Sequence, residues 1–132
     1  QKADFKSAIS MLLKEQQIKP TSSVINTNLA NVYIEDNQTA KAIPLLEDLI
    51  FFDKQDQLAY FLLTEAYKKN GNKAMEHFVK AESLALAADY KTAIDQLNFA
   101  YKQSKDNPLQ LARIEARIRQ FRQADRAMEA LQ

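Results

Sequence analysis

A chain of 132 residues that is 46% hydrophobic and 27% charged has the makeup of an ordinary globular domain, with enough apolar material for a real core. A formal net charge of +1 supplies no overall field toward nucleic acid or acidic lipid, and the absence of cysteine excludes disulfides and thiolate metal sites. One glycine in the whole chain leaves little room for hairpins or a phosphate-cradling loop, while Ala, Leu, Gln, Lys and Glu favour helix throughout, so the fold is predicted to be all-α.

The first helix is predicted over residues 3–17, where Phe5, Ala8, Ile9, Leu12 and Leu13 recur at i, i+3, i+4, i+7 and i+8. Pro20 ends it, because the residue before a proline is pushed out of the α region. Thr21-Ser22-Ser23 offers N-caps for a second helix running to about Glu35, with Val24, Ile25, Leu29, Ala30, Val32, Tyr33 and Ile34 as its apolar positions. A third helix begins at Thr39 or Ala40 and reaches Phe52, with Pro44 tolerated near its start. Asp53-Lys54-Gln55-Asp56 leads into a fourth, carrying Leu58, Tyr60, Phe61, Leu63, Ala66 and Tyr67. Gly71 is suited to the left-handed conformation past its end. The fifth, about Lys73 to Ala87, is apolar almost all round and calls for neighbours on more than one side. The sixth runs from Tyr90 to about Ser104, and Pro108 opens the seventh and longest. The longest apolar runs, Leu84 to Ala88 and Leu49 to Phe52, fall far short of the ~20 residues of a membrane span.

These helices are not independent. Asp4-Phe5-Lys6-Ser7-Ala8-Ile9-Ser10-Met11-Leu12 nearly recurs as Asp89-Tyr90-Lys91-Thr92-Ala93-Ile94-Asp95-Gln96-Leu97. Leu29 and Tyr33 recur as Leu63 and Tyr67, and Ala8, Ile9 and Leu12 recur as Ala42, Ile43 and Leu46. These last five matches follow the 34-residue period of the tetratricopeptide repeat, a helix–turn–helix unit, whereas the first spans 85 residues, two and a half periods. Small residues at the eighth and twentieth positions let paired helices approach, and large ones fill the grooves. The register predicts a single tetratricopeptide-type domain over 1–132: a half repeat at 3–20, a repeat at 23–56, the first helix of another at 57–73, a phase-slipped repeat at 74–107, and a capping helix at 108–132. The whole is expected to form a short right-handed solenoid of about seven antiparallel helices. The pattern slips by one helix at the fifth, which accounts for the half-integer offset between the two matching stretches.

His77-Phe78-Val79-Lys80-Ala81-Glu82, the stretch Asp89 to Leu97, and Leu111-Ala112-Arg113-Ile114-Glu115-Ala116-Arg117-Ile118 with Phe121-Arg122 together resemble the C-terminal tetratricopeptide region of bacterial periplasmic zinc metalloproteases. Asn28-Leu29-Ala30-Asn31 extends the resemblance upstream, so that it covers most of residues 23–126. It implies a parent protease of the Gram-negative periplasm, engaged in outer-membrane protein assembly and quality control. The zinc of that parent would be held by an H-E-x-x-H helix outside this chain. Gln1-Lys2-Ala3-Asp4, with no initiator Met and no apolar signal core, reads as part of something longer.

Catalysis is not expected from these residues. A zincin site needs two histidines one turn apart and a third ligand, and this chain has one histidine, His77. His77 stands where the repeat uses a large aromatic, so packing or an interhelix hydrogen bond is its expected role. No cofactor is expected within the chain. Recognition remains, and tetratricopeptide arrays bind through the second, fifth, ninth and twelfth positions of their first helices. Those positions are Val24, Thr27, Asn31 and Ile34; Leu58, Phe61, Glu65 and Lys68; and Met75, Phe78, Glu82 and Ala85. Asn31, Phe61, Glu65, Lys68, Phe78 and Glu82 are the candidate contacts for a protein or peptide partner, with Phe61 and Phe78 suited to an apolar segment or else buried against the next helix. A carboxylate clamp like that of some repeat proteins is not expected, because Thr27 stands where a basic residue is needed.

In the seventh helix, Leu111, Ile114, Ile118, Phe121 and Met128 form a seam for packing on the sixth, while Arg119, Arg122 and Arg126 share another face. That face is either a solvated cap or a docking face toward the parent's protease domain or an acidic partner. The expected partners are outer-membrane assembly components, with no nucleic acid and no membrane span. Self-association through the stripe on the first helix is also expected. The alternative reading is a stand-alone tetratricopeptide adaptor in envelope, pilus or secretion assembly.

Overall fold

The computed structural model describes residues 2–132, with side chains from Asp4 onward. Its described residues form seven α-helices and no strand: α1 Lys2–Ile18, α2 Ser23–Glu35, α3 Thr39–Phe52, α4 Gln57–Lys69, α5 Lys73–Leu86, α6 Tyr90–Lys102 and α7 Pro108–Ala130. Side chains from the preceding turns cap most of them. Ser22, Asp56, Asn72, Asp89 and Asn107 each accept a hydrogen bond from the backbone N–H three residues on, satisfying one of the donors a helix start leaves orphaned. Pro108 opens α7, where its missing N–H removes no helical bond, and Pro44 sits exposed inside α3. The chain resolves into two compact units, one ending at Gly71 and the other spanning Asn72–Gln132.

In the first unit α1 packs on α2, α2 on α3 and α3 on α4, with a further contact between α2 and α4. Its interior is built from Leu29, Ala30, Tyr33 and Ile34 of α2, Ala42, Leu46 and Leu49 of α3, and Ala59, Tyr60, Leu62, Leu63, Ala66 and Tyr67 of α4. Ala30, Ala42, Ala59 and Ala66 are wholly inaccessible. A larger side chain at such points would hold neighbouring backbones apart. Polar ties supplement the packing. Gln16 Nε2 donates to Asn26 Oδ1 at 2.7 Å, joining α1 to α2, and Lys69 Nζ donates to the Ile34 carbonyl at 3.0 Å, joining α4 to α2.

In the second unit α5 packs on α6 and α6 on α7. One apolar cluster holds the three together: Phe78 and Ala81 from α5, Ala93, Leu97 and Ala100 from α6, and Ile114, Ile118 and Phe121 from α7. The seam read from the sequence of α7 thus faces inward at its centre, while Leu111 and Met128 at its ends are half-buried. Ser104 is buried and donates its hydroxyl to the Ala100 carbonyl at 2.8 Å, closing the last turn of α6.

Three helix ends turn through the left-handed region, at Asn37 (φ 60°), Gly71 (φ 79°) and Ala88 (φ 60°). After α5, Asp89 N donates to the Leu84 carbonyl at 3.0 Å and Ala88 N to the Ala85 carbonyl at 2.9 Å, the paired closure of a Schellman motif. Asn tolerates this conformation and Gly adopts it freely, but Ala carries the full Cβ penalty. Ala88→Gly is therefore expected to stabilise the chain by about 1 kcal/mol, read as a higher urea midpoint at unchanged slope. Leu97→Ala, which empties a fully buried site, is expected to destabilise by about 3 kcal/mol in the same measurement.

Candidate partner-binding surface

The residues singled out in the first unit lie on α2 and α4. Leu58, Phe61, Glu65 and Lys68 fall at i, i+3, i+7 and i+10 of α4 and so share one face. Leu58 is 54% exposed and Phe61 60%, which on a well-packed helix leaves two large apolar side chains facing solvent. On α2, Val24 is 69% exposed and Asn31 is exposed, while Thr27 is half-buried. Lys68 is exposed and Glu65 half-buried. Ile34 lies in the core, so the apolar character of this surface resides at Val24, Leu58 and Phe61, near the helix starts.

The second unit corrects two of the expected contacts. Phe78 is 7% exposed and belongs to the three-helix cluster, with the Arg113 guanidinium carbon 4.8 Å from its ring centroid. Burial against the next helix is thus the role it takes. Glu82 is half-buried and its carboxylate is held by Arg117, whose Nε and Nη2 donate to Oε2 and Oε1, each at 2.7 Å. The same guanidinium lies 4.5 Å from the Phe121 ring centroid and donates from Nη1 to Gln120 Oε1 at 2.7 Å. A fork-to-fork pair seated on an aromatic ring is a structural clasp between α5 and α7, and it takes the Glu82 carboxylate away from any partner.

His77 makes the interhelix contact expected of it. Its Nδ1 lies 2.8 Å from Gln96 Oε1 across α5 and α6, and since an amide oxygen only accepts, Nδ1–H donates. The ring also stands 5.4 Å from that of Phe99. No group of three or more His, Cys, Asp or Glu residues that could hold a metal occurs among the described residues. The donor set here does not fit a zinc centre: the one histidine has a nitrogen committed to Gln96, and no second imidazole stands one turn away.

Arg119, Arg122 and Arg126 are all exposed on α7. Arg119 and Arg122 border a recess with Asn98 and Tyr101 of α6 and Glu115 and Ile118 of α7. The first unit carries a further feature that the repeat positions do not mark. A groove of about 460 Å³ runs past Gln16, Pro20, Leu45, Leu49 and Phe52, with Asp48, Asp53 and Asp56 along it. Beside it Phe51 and Phe52 stack edge to face at 5.4 Å and stay largely exposed. The signal was present as two adjacent aromatics ending an amphipathic helix, where only one can face the core.

The architecture is that of an all-helical array consistent with helical repeats, with no helix among the described residues long and apolar enough to cross a membrane. No protein-family model matches the chain. The chain is homologous to a stretch of the beta-barrel assembly-enhancing protease: 36% identical over 116 residues to that protein from Escherichia coli strain K12, and likewise to that from Shigella flexneri. The Yersinia pestis protein of the same name is 35% identical over 116 residues. Each match takes in 88% of this chain and 24% of the relative, so the chain spans about a quarter of the length of these proteins.

Replacing Glu82 with Ala removes the two carboxylate bonds that tie Arg117 of α7 to α5. A loss of about 1 kcal/mol in urea unfolding is expected, against less than about 0.5 kcal/mol for Ala at the exposed Glu129.

Proposed function

We propose that this chain is a non-catalytic protein-interaction region that recruits substrates or partners for a periplasmic zinc metalloprotease engaged in outer-membrane protein assembly and quality control. The observation that carries this reading is the exposed apolar set Val24, Leu58 and Phe61 on two touching helices, in a chain homologous to part of a protease named for barrel assembly. Apolar side chains held outward on short, well-packed helices lose little freedom when a partner covers them. Asn31 and Lys68 add exposed polar groups on the same helices for orienting hydrogen bonds.

On this reading the zinc and its ligands belong to a part of the parent protein outside the chain. Proteolysis is performed there, and tetratricopeptide-type helices supply recognition. The partners are components of outer-membrane assembly together with the parent's own protease domain, and the compartment is the Gram-negative periplasm. Within the apolar stripe of α1, Leu13 stays 38% exposed, which supports a further capacity for self-association through that helix.

The test places a photo-crosslinking residue at Phe61 of the parent protease in cells, with another at exposed Leu109 as the control. Crosslinks from Phe61 to outer-membrane assembly components are expected. In the double variant Leu58→Ser/Phe61→Ser, substrate turnover in vivo should fall several-fold while cleavage of unfolded casein by the purified protease is retained. Equal crosslinking from both positions, or full turnover by the double variant, refutes the reading.

A further inference from the structure

All of the chain's arginines, Arg113, Arg117, Arg119, Arg122 and Arg126, lie on α7. Two are committed inside the second unit: Arg113 covers the Phe78 ring, and Arg117 clasps Glu82 and covers Phe121. The other three form no ion pair among the described residues. Glu115 stands one turn before Arg119 and borders the same recess, yet no ion pair joins them. Spaced at i, i+3 and i+7, the three guanidinium groups mark a ridge about 10 Å long on an exposed helix face. Beside it lies the recess of about 260 Å³ lined by Asn98, Tyr101, Glu115, Ile118, Arg119 and Arg122.

We propose that this ridge and recess bind an acidic segment of a partner protein, its side-chain carboxylates pairing along Arg119, Arg122 and Arg126, with one of them seated in the recess. Three features select that chemistry. Guanidinium presents a planar fork matched to carboxylate, so a row of arginines favours paired oxygen acceptors over diffuse negative potential. The recess holds two arginines and one glutamate, a local charge that a singly charged carboxylate neutralises, whereas a dianionic phosphate would meet Glu115 with repulsion. The side-chain amide of Asn98 and the hydroxyl of Tyr101 add neutral donors, and Ile118 gives an apolar wall for the aliphatic part of the incoming side chain. A run of acidic side chains fits better than a chain terminus, because a single terminal carboxylate would occupy only one point of the ridge. Each exposed pair contributes little alone, so the three must act together. The site lies wholly in the second unit and is independent of the apolar surface on α2 and α4.

Fluorescence anisotropy with a labelled helical peptide of Glu, Ala and Leu, its glutamates spaced i, i+3 and i+7, tests this on the 132-residue chain. Arg119→Gln/Arg122→Gln is expected to weaken binding more than tenfold. Lys14→Gln/Lys19→Gln, in the first unit, removes the same charge elsewhere and should weaken it less than twofold. The matched Gln peptide should not bind, and the Asn98 side-chain amide should shift in nitrogen–proton correlation spectra on adding the Glu peptide. Circular dichroism establishes that both double variants, altered at exposed positions, stay folded. Equal weakening by the two double variants, equal binding of the Gln peptide, or no binding by the unaltered chain overturns the proposal. Retention on phosphatidylglycerol vesicles without peptide binding overturns it in favour of a phosphate-bearing surface.

Discussion

A helix of thirteen or fourteen residues is marginal by itself in water, because nucleation costs more than so few hydrogen bonds return. Every helix between α1 and α7 is of that length, so each exists only as far as it can bury a face on a neighbour. The closeness of that approach is set by alanine. Ala30, Ala42, Ala59, Ala66, Ala81, Ala93 and Ala100 are all wholly inaccessible, and they are combined in the interior with large residues that fill the remaining space, Leu29, Leu46, Leu97 and Ile114. The remainder of the structure, from the capped starts to the outward-facing phenylalanines, depends on this combination of small and large buried residues.

Most of the fold was legible because the determinants are local. Caps, prolines and the 3.6-residue periodicity act within a turn or two, and α2, α3 and the starts of α4 to α7 fall where Ser22, Thr39, Asp56, Asn72, Asp89 and Pro108 put them. The left-handed turn at Ala88 was not legible, since alanine carries no signal for positive φ. It is imposed by two hydrogen bonds that close α5 and by the need to place Asp89 as the N-cap of α6. Local preference there gives way to the packing of both helices against each other.

The candidate site was half legible for a related reason. The register read from the sequence expects one face of α4 to look outward, and Leu58 and Phe61 are exposed there. For Phe78 and Glu82 the same expectation fails. Reading α7 as a cap packed on α6 left the α5 face open, whereas Arg113 and Arg117 reach from α7 to cover it. An arginine looks solvated in sequence because its charge dominates any hydropathy scale. Its long stem and planar head are nevertheless able to close over an aromatic ring and a carboxylate at once. Separating arginines that clasp from arginines that face water required the side-chain geometry.

That separation also bears on how the surface can act. An apolar patch such as Leu58 and Phe61 gains its free energy by excluding water over contact area, so it acts mainly on how slowly a complex dissociates. A row of unpaired guanidinium groups acts at longer range, guiding oppositely charged partners before contact and weakening as salt rises. A chain of net charge +1 has no global field with which to steer anything, so whatever steering it has must come from local asymmetry of this kind. Keeping lysine alone as the strong base in the first unit and concentrating every arginine on α7 produces that asymmetry at almost no cost in net charge. The same helix is pinned by Ile114, Ile118 and Phe121 on its inner face, while Arg119, Arg122 and Arg126 lie on an exposed one.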